Sequence, residues 1–271
     1  MPTIRIIGPG RAGRSLAAAL AARGWHVNGL LGRGDDPTHA ARGVDVLVIA
    51  TPDDVVAEVA AAVIPVPTTT VLHLSGSLGL DALAPHPRRA ALHPLVPLPN
   101  PEVGAARLAS GVTFAVAGSP LAGAIADSLG GRVVEVADDD RAAYHAAACI
   151  AANHVVALLG QVERVAASVG LDLESFLPLT RAALDDVAAL GPHDALTGPA
   201  RRGDWATLSR HLDALPTSER TGYQAGAALA TRLSETPAGA TAVPLEKAAG
   251  AADAAGARFE HTADDVVPAP V

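Results

Sequence analysis

The sequence predicts an α/β domain with a mainly parallel sheet, followed by an all-α domain. Over residues 1–137, short runs of β-branched and apolar residues alternate with alanine-rich helical stretches, as expected when helices cover a parallel sheet. Almost no strand pattern follows residue 137, and residues 138–258 have a helical pattern instead. We therefore expect two domains, 1–137 and 138–258, and a flexible tail at 259–271.

The predicted elements follow one another in a simple order. Strands are predicted at residues 3–7, 26–31, 45–50, 70–74, 90–93, 112–117 and 132–136. Helices of the second domain are predicted at 140–169, 173–190, 204–214, 218–233 and 244–255, and the acidic run 138–140 would complement the dipole of the first. The apolar stretch 142–160 contains His145, Asn153 and His154, so we expect a buried helix of a soluble domain rather than a membrane span.

Composition limits the classes of function. With 271 residues, 49% of them hydrophobic, the chain can build a sizeable core. Its formal net charge of −8 gives no overall attraction for nucleic acid or for an anionic membrane surface. The single cysteine cannot form an internal disulfide and the N-terminus lacks secretory-signal features, so we expect a cytoplasmic protein with small-molecule partners. The apolar helical half also predicts a homodimer with the long helix 140–169 near the interface.

The strongest signal is the loop Gly8-Pro9-Gly10-Arg11-Ala12-Gly13, which follows the first strand and opens an apolar helix running to Gly24. Gly8 permits the tight turn, Gly10 lets the backbone approach a pyrophosphate, and Gly13 permits close packing of helix on strand. The helix N-terminus attracts negative charge. We therefore predict a Rossmann domain in which these six residues bind a dinucleotide, the alternative being a glycine-rich turn without a ligand.

The end of the second strand indicates which dinucleotide binds. NAD enzymes usually place an acid there against the ribose 2′-hydroxyl, whereas this chain has Arg33 in the sequence Leu31-Gly32-Arg33-Gly34. Because an arginine would pair with a 2′-phosphate, NADP (NADPH) is the predicted cofactor. Asp35 and Asp36 follow directly and leave NAD as the alternative.

Two more strand ends are predicted to reach the same edge of the sheet. Thr51 and Pro52 follow the third strand, where the ribose and nicotinamide of a dinucleotide pass. Asp53 has the position of a cap for the following helix. After the fourth strand comes His73-Leu74-Ser75-Gly76-Ser77, which offers hydroxyls and a permissive glycine to a ligand and is equally typical of a capped turn.

A hydride donor alone does not make a reductase, because the receiving carbonyl or imine needs a polar group to stabilise charge or deliver a proton. His145, Cys149 and Asn153 follow at i, i+4 and i+8 and so share one helix face. A buried Asn153 needs hydrogen-bond partners, and a substrate oxygen is one candidate. For His145 and Cys149 a core role is the stronger interpretation. His93, at the end of the fifth strand, is either an acid or a histidine packed beneath a proline-rich loop.

The stretch 196–204 is predicted to be a polar loop leading into a helix that Asp204 caps. It contains Thr197 and two adjacent arginines, and a guanidinium can grip a carboxylate bidentately. We take Arg202 as the candidate and Arg201 as a solvated side chain.

These pieces resemble a family in which a Rossmann-like domain precedes a helical domain of unknown function, within the 6-phosphogluconate dehydrogenase-like reductases. The resemblance covers nearly everything before Phe259, and its most specific part is Leu196-Thr197-Gly198-Pro199 with Arg202-Gly203-Asp204. Relatives include ketopantoate, pyrroline-5-carboxylate, prephenate and hydroxyisobutyrate enzymes. The resemblance implies that Asn153 is a substrate-positioning asparagine. Cys149 stands where several relatives carry a catalytic lysine, so the usual proton donor is missing.

The leading hypothesis is NADPH-dependent reduction of a small 2-oxo acid, with 2-dehydropantoate (ketopantoate) as the best single guess because some family members resemble ketopantoate reductases. Arg202 would hold the carboxylate and Asn153 the carbonyl oxygen, while His93, His73 or His145 would supply or relay the proton. The remaining substrate-binding candidates are Ser75, Gly76, Ser77 and Thr197, and no metal is expected. The alternatives are reduction of a cyclic imino acid and a non-catalytic NADP-binding protein.

Overall fold

A computed structural model describes residues 1–236 of the chain. The helix predicted at 244–255 and the tail at 259–271 lie outside the described residues. The chain divides into two compact units, one formed by Met1–His154 and one that begins at Val155. Residues 138–154, which the sequence analysis assigned to the helical domain, therefore belong to the first unit.

The first unit is built on a seven-stranded sheet with the order β2-β1-β3-β4-β5-β6-β7. Neighbouring strands are parallel except β5 and β6, which are antiparallel. Every strand lies where the sequence predicted it, with its ends shifted by one residue at most. The strands are β1 Thr3–Ile7, β2 His26–Leu31, β3 Val46–Ile49, β4 Thr70–His73, β5 Arg89–Pro94, β6 Thr113–Gly118 and β7 Arg132–Glu135.

Five α-helices complete the first unit and cover both faces of the sheet. Along β3, Val46 and Val48 join the core on the side of the first helix, whereas Leu47 and Ile49 join the core on the other side. A strand buried on both faces reads as a continuous apolar run, which is the pattern that identified β3. The helices are α1 Arg11–Ala22, α2 Val56–Ala62, α3 Pro101–Leu108, α4 Leu121–Ser128 and α5 Arg141–Cys149.

The connections create a crevice between β1 and β3. The chain runs from β1 through α1 to β2 on one side, and then crosses to β3 on the other side of β1. Ligands of open α/β sheets bind outside the carboxyl ends of the strands at such a reversal. The residues that follow β1 and β3 are therefore the candidate ligand site of this sheet.

The stretch that leaves the sheet differs from the prediction in two ways. Asp138–Asp140 forms a 3₁₀ turn in which the Asp138 carboxylate accepts a hydrogen bond from the Leu80 N–H at 2.8 Å, and the N-cap residue Asp140 makes no side-chain capping bond. Between α5 and the next helix the backbone forms a π turn at Ile150–His154. The apolar period of the sequence gives no sign of this wider turn.

The prediction that the apolar stretch 142–160 is buried is wrong. None of its residues is buried, and Asn153 is exposed. In the described part of the chain, the helical stretch Asp138–Ala167 is long and apolar enough to cross a membrane by length and composition alone, which is a weak indication. Periodicity predicted the helix correctly but could not show whether another surface covers it.

The second unit, as far as residue 236, is helical. Its helices are α6 Val155–Ala167, α7 Leu177–Leu190, α8 Pro192–Ala195, α9 Gly198–Arg202, α10 Trp205–Ala214 and α11 Thr217–Glu235. α6 and α11 are joined by a two-pronged ion pair, Arg164 to Glu219, with N–O distances of 2.7 and 3.1 Å.

The predicted loop 196–204 is mostly the short helix α9. Pro199 lies in its first turn, and Gly203 ends it in the left-handed conformation with φ at 65°. Asp204 caps α10 as predicted, accepting the Thr207 N–H at 3.1 Å.

Candidate functional site

The glycine loop has the geometry that the sequence predicted. A Cβ on Gly8, whose φ is +102°, would lie 2.5 Å from the carbonyl oxygen of Ala50, and a Cβ on Gly13 would collide with the carbonyl oxygen of Gly8. These two glycines let α1 pack tightly against the ends of β1 and β3. A Cβ on Gly10 would meet no atom within 4 Å, so the space in front of this backbone is open.

The N-terminus of α1 fits an anion. Its N-cap, Gly10, offers no side-chain acceptor, and no acidic residue lies in the first turn. Arg11 is exposed there, while Arg14 donates from Nε to the carbonyl oxygen of Pro9 at 2.6 Å. Because free N–H groups and the positive end of the helix dipole face an open space, a dinucleotide's pyrophosphate fits this loop.

The end of β3 lies beside the glycine loop. The Thr51 hydroxyl oxygen is buried and makes no hydrogen bond within residues 1–236, and a buried hydroxyl without a partner favours a missing ligand or water. Pro52 is exposed next to it. Both residues are at the edge where the sequence analysis expected the cofactor to pass.

The loop after β2 contains both charges that bear on the choice of dinucleotide. Arg33 is exposed, and the Asp35 carboxylate accepts a hydrogen bond from the Gly32 N–H at 2.7 Å. Asp36 instead binds the N–H of Thr38 at 2.9 Å. The Arg33 side chain is thus available to a phosphate, while the Asp35 carboxylate is bound to the backbone of the neighbouring Gly32.

Asp53 connects the ends of β3 and β4 rather than capping a helix. Its Oδ2 accepts hydrogen bonds from the hydroxyls of Ser75 at 2.6 Å and Ser77 at 2.9 Å, and the 3₁₀ turn that Asp53 begins has no side-chain cap. The Ser75 hydroxyl also accepts the N–H groups of Ser77 and Leu78, both at 3.1 Å. Ser75-Gly76-Ser77 therefore forms a capped turn, which was one of the two interpretations of the sequence. Asp53, which was predicted to cap the helix after β3, fixes this turn instead.

His73, one of the three candidate proton donors, is fully buried at the end of β4, with 0% of its surface exposed. Burial, with a smaller contribution from the charge of Arg141, lowers the pKa of His73 from its ordinary value to about 4. A neutral imidazole without solvent access cannot pass a proton directly to a substrate, so the structure does not support the prediction of His73 as a proton donor.

His93 lies at the end of β5 and is half-buried. Its Nδ1 is 2.7 Å from the hydroxyl oxygen of Tyr144, and its ring meets those of Tyr144 and His145 edge to face, each at 5.6 Å between centroids. A Cβ on Gly76 would lie 3.0 Å from Cε1 of His93 and 2.5 Å from Cδ2 of His145, so both imidazole rings pack against this glycine and leave no room for a side chain. The structure thus brings together His93, His145 and Gly76, which the sequence placed on separate elements.

The pKa of His93 is lowered to about 4, chiefly by burial and then by the positive charges of His145 and Arg141. Arg141 begins α5 and is itself fully buried. It donates to the carbonyl oxygen of Ser75 at 2.7 Å, and its Nε and second amino nitrogen make no hydrogen bond in the described part of the chain. Arg141 thus brings a buried cation with spare donors to this corner, where the carboxylates of Asp138 and Asp53 also act on it.

The other predicted residues are less enclosed. Cys149 Sγ is 3.9 Å from Nε2 of His145, so these two share a helix face as predicted. Asn153 lies one turn later within the π turn and is exposed. Thr197 and Arg202 belong to the second unit, where Thr197 is the N-cap residue of α9 and Arg202 is exposed in the last turn of that helix.

His93, Tyr144, His145 and Arg141 form what we call the His93 cluster, and two of its members were not predicted from the sequence. Tyr144 and Arg141 sit in an alanine-rich helix directly after an acidic run, where both look like solvated side chains. One signal was available: the chain has only two tyrosines, and each of them hydrogen-bonds a histidine.

Comparison with known proteins supports the architecture. The family described as Domain of unknown function (DUF2520) matches residues 110–230. No curated protein matches the chain. Among solved structures, the chain is similar to a candidate NADP oxidoreductase from Bacteroides fragilis, at 18% identity and a TM-score of 0.71, with 85% of this chain and 98% of that chain covered.

Two more solved structures are similar to the chain. A Thermotoga maritima protein is 21% identical with a TM-score of 0.67, over 86% of this chain and 98% of that one. Plasmodium falciparum pyrroline carboxylate reductase, solved with NADP bound, is 13% identical with a TM-score of 0.55 over 86% and 98%. At these identities the likeness shows the fold. The chain therefore has a Rossmann-type α/β unit with a mainly parallel sheet, followed by a helical unit.

Proposed function

We propose that the protein is an NADPH-dependent reductase of a small 2-oxo acid, with 2-dehydropantoate as the preferred substrate. One observation carries the proposal: a loop that fits a pyrophosphate and a half-buried histidine with a hydrogen-bonded tyrosine lie in one unit, after parallel strands of one sheet. The similarity to NADP-dependent reductases supports the choice of cofactor and of reaction class.

The glycine loop, Thr51, Pro52 and Arg33 would hold the cofactor. When bound, NADPH supplies the hydride for the carbonyl carbon. Gly10 and the uncapped N–H groups of α1 would hold its pyrophosphate, and the Thr51 hydroxyl would gain a hydrogen-bond partner. Arg33 would pair with the 2′-phosphate, which is the group that separates NADPH from NADH.

The substrate's carbonyl oxygen needs a donor that is positioned before the reaction starts. His93 is suited to this role, because its ring is fixed by Tyr144 on one side and by Gly76 and His145 on the other. Asn153 is proposed as a second ligand of the substrate oxygen, and Arg202 as the ligand of its carboxylate.

The first experiment is calorimetry with NADPH and NADH, followed by an assay in which loss of the reduced nicotinamide's absorbance is followed with 2-dehydropantoate or pyrroline-5-carboxylate. Turnover with the 2-oxo acid and tighter binding of NADPH are the expected results. Turnover only with the cyclic imine would move the proposal to an imine reductase. Tight NADPH binding with no turnover of either substrate would make the protein a nucleotide-binding protein without this activity.

A matched pair of variants tests the carboxylate ligand. Arg201 and Arg202 are adjacent and exposed in α9. We expect Arg202→Met to raise KM for the 2-oxo acid by about tenfold or more, since a charge-assisted bond is lost, while Arg201→Met changes it little. Equal KM values for the two variants would remove Arg202 from the site.

We also propose that the two copies of the predicted homodimer associate through α7, which is a different helix from the long helix that the sequence indicated. Residues 181–190 of this helix are all exposed, and its contacts are mainly with α8 and the turn Leu173–Ser175. Leu179, Val187 and Leu190 lie on one side of the helix and are 69%, 42% and 58% exposed. An apolar stripe of this kind is typical of an interface, and a two-fold dimer lets each copy cover the stripe of the other.

Light scattering on the full chain at micromolar concentration should give the mass of a dimer. Val187→Glu should shift the population towards monomer, whereas Ala188→Glu, on the opposite side of the helix, should not. A monomeric wild-type protein would refute the dimer and would indicate that another part of the chain covers α7.

A further inference from the structure

We infer that Tyr144 is the terminal proton donor of the reductase site and that its proton reaches the substrate oxygen through the imidazole of His93. The inference rests on the proposed function and supplies the donor that the missing lysine leaves open. Its geometric basis is the 2.7 Å contact between the Tyr144 hydroxyl and Nδ1 of His93, with the two rings nearly perpendicular at 86°.

The direction of this hydrogen bond follows from the partners available. Within residues 1–236 the Tyr144 hydroxyl has one hydrogen-bond partner, Nδ1 of His93. A phenol places its proton on the best acceptor in reach, so Nδ1 accepts and the neutral ring keeps its own proton on Nε2. This nitrogen lies 3.1 Å from the position that a Cβ would take on Gly76. Nε2 of His93 therefore lies beside the Ser75-Gly76-Ser77 loop, whose residues are candidates for binding the substrate.

The charges around His93 favour a neutral ring. The groups that act on it are His145, Arg141, His73 and Asp53, of which only Asp53 is acidic. With a pKa of about 4, only about one His93 side chain in a thousand is an imidazolium at neutral pH. A mechanism that drew its proton from the imidazolium would thus use a rare state, whereas a relay through the neutral ring uses the common one.

The relay balances as follows. The hydride's electron pair forms the new C–H bond at the carbonyl carbon, and the π pair of the C=O bond moves onto oxygen. That oxygen takes the proton from Nε2 of His93, the N–H pair returns to the ring, and Nδ1 takes the proton from the Tyr144 hydroxyl. The product is a 2-hydroxy acid. Before the next turnover Nδ1 returns its proton to the Tyr144 phenolate and water protonates Nε2, which restores the starting tautomer.

Arg141 stabilises the charge that this transfer creates. Burial raises the pKa of Tyr144, which keeps the phenol protonated at rest, and the Arg141 charge acts in the opposite direction. The cation is held in place by its hydrogen bond to the carbonyl oxygen of Ser75. Arg141 is a positioning residue here, since it acts on the phenolate rather than on the substrate.

The test uses the second tyrosine of the chain as a matched control. Tyr223 has the same contact with Nδ1 of His211, at 2.6 Å, in the helical unit. Tyr144→Phe and Tyr223→Phe therefore each remove one phenol hydroxyl from a histidine Nδ1, and only the first affects His93 directly. Nitrogen-15 NMR of histidine-labelled protein without cofactor then reports which ring nitrogen of His93 is protonated.

We expect His93 to be protonated on Nε2 in the wild type, and the Nδ1 resonance to move in Tyr144→Phe but not in Tyr223→Phe. With substrate, kcat of the wild type should be level between about pH 6 and pH 9. In Tyr144→Phe the imidazolium is the remaining donor, so kcat should be lower at neutral pH and should fall about tenfold for each unit of rising pH.

The outcomes separate the relay from the proposed function. A proton found on Nδ1 of His93 overturns the relay even in an active reductase. A level pH profile in Tyr144→Phe overturns it as well, because the phenol would then not be the donor. If neither substrate is turned over, the proposed function itself fails, and the relay fails with it.

Discussion

The Asp35 carboxylate and the Gly32 N–H are joined by a 2.7 Å hydrogen bond in the loop that also contains Arg33. The acid thus occupies a backbone donor that a 2′-phosphate would otherwise find free, and its charge opposes the attraction of the arginine. Arg33, which favours NADPH, and Asp35, which opposes it, thus lie in one loop. Substituting each residue can measure its effect on nucleotide binding.

Asp35→Asn removes the negative charge while keeping a group that can accept from Gly32. We expect NADPH binding to tighten by about three- to tenfold, because a like charge near the phosphate is lost, with little change for NADH. Calorimetry at low and high salt measures this, and the gain should shrink as salt rises. Asp36→Asn is the matched control, since that acid is engaged by Thr38. Equal effects on both nucleotides would place the 2′-phosphate elsewhere.

Gly10→Ala tests the pyrophosphate loop without disturbing the fold. The backbone of Gly10 is extended, with φ at −76°, and its Cβ would meet no atom within 4 Å. The free energy of unfolding should therefore change by less than about 0.5 kcal/mol. Binding of NADPH should weaken by about tenfold or more, since the methyl group would fill the space that the pyrophosphate needs.

Gly123→Ala provides the control for that variant. A Cβ on Gly123, inside α4, also meets nothing within 4 Å. Its helix should gain about 0.5–1 kcal/mol, and NADPH binding should stay as in the wild type. Unchanged binding by Gly10→Ala would contradict the proposed cofactor site.

Gly76→Ala should disturb the histidine pair. Its Cβ would lie 2.5 Å from Cδ2 of His145 and 3.0 Å from Cε1 of His93, so at least one ring must move. We expect a loss of about 1–3 kcal/mol in urea unfolding and a lower kcat. In the His145→Ala background the same substitution should cost less stability, because the closer of the two contacts is gone. Identical costs in both backgrounds would show that the rings do not confine Gly76.

Buried His73 should make stability depend on pH. Its pKa is about 4 in the folded chain and 6.5 ordinarily, so between these values the unfolded chain binds a proton that the folded chain excludes. This stabilisation is complete above pH 6.5 and is lost as the pH falls, with a slope of about 1.4 kcal/mol per pH unit. His93 acts in the same direction. Urea unfolding across this range should show a shallower slope for His73→Gln, and parallel curves would contradict the prediction.

Local sequence was sufficient for the sheet and for the glycine loop. Runs such as Val46–Ile49 are buried on both faces, so each residue contributes to the signal, and Gly8 and Gly13 are required by close backbone contacts. Features of this kind depend on neighbouring residues or on backbone conformation, and both can be predicted from one amino-acid sequence.

The cluster around His93 was only partly predictable, because its members meet through tertiary contacts. Tyr144 lies 51 positions from His93, and Arg141 lies 66 positions from Ser75. Helical periodicity placed Asn153 on a buried face, whereas the π turn and the uncovered helix leave it exposed. Spacing along a helix predicts which residues share a side, but not what lies opposite that side.

The reversed direction of β6 determines which parts of the chain reach each edge of the sheet. Since β6 and β7 run against the other five strands, their carboxyl ends lie at the opposite edge of the sheet. At the edge where β5 ends, the partner of His93 comes from α5 instead. A hybrid joined at residue 137 would keep the seven-stranded sheet and the glycine loop, and would take the residue that faces His93 from the other parent sequence. Such a hybrid would thus separate the contribution of the glycine loop from that of the side chain that contacts His93.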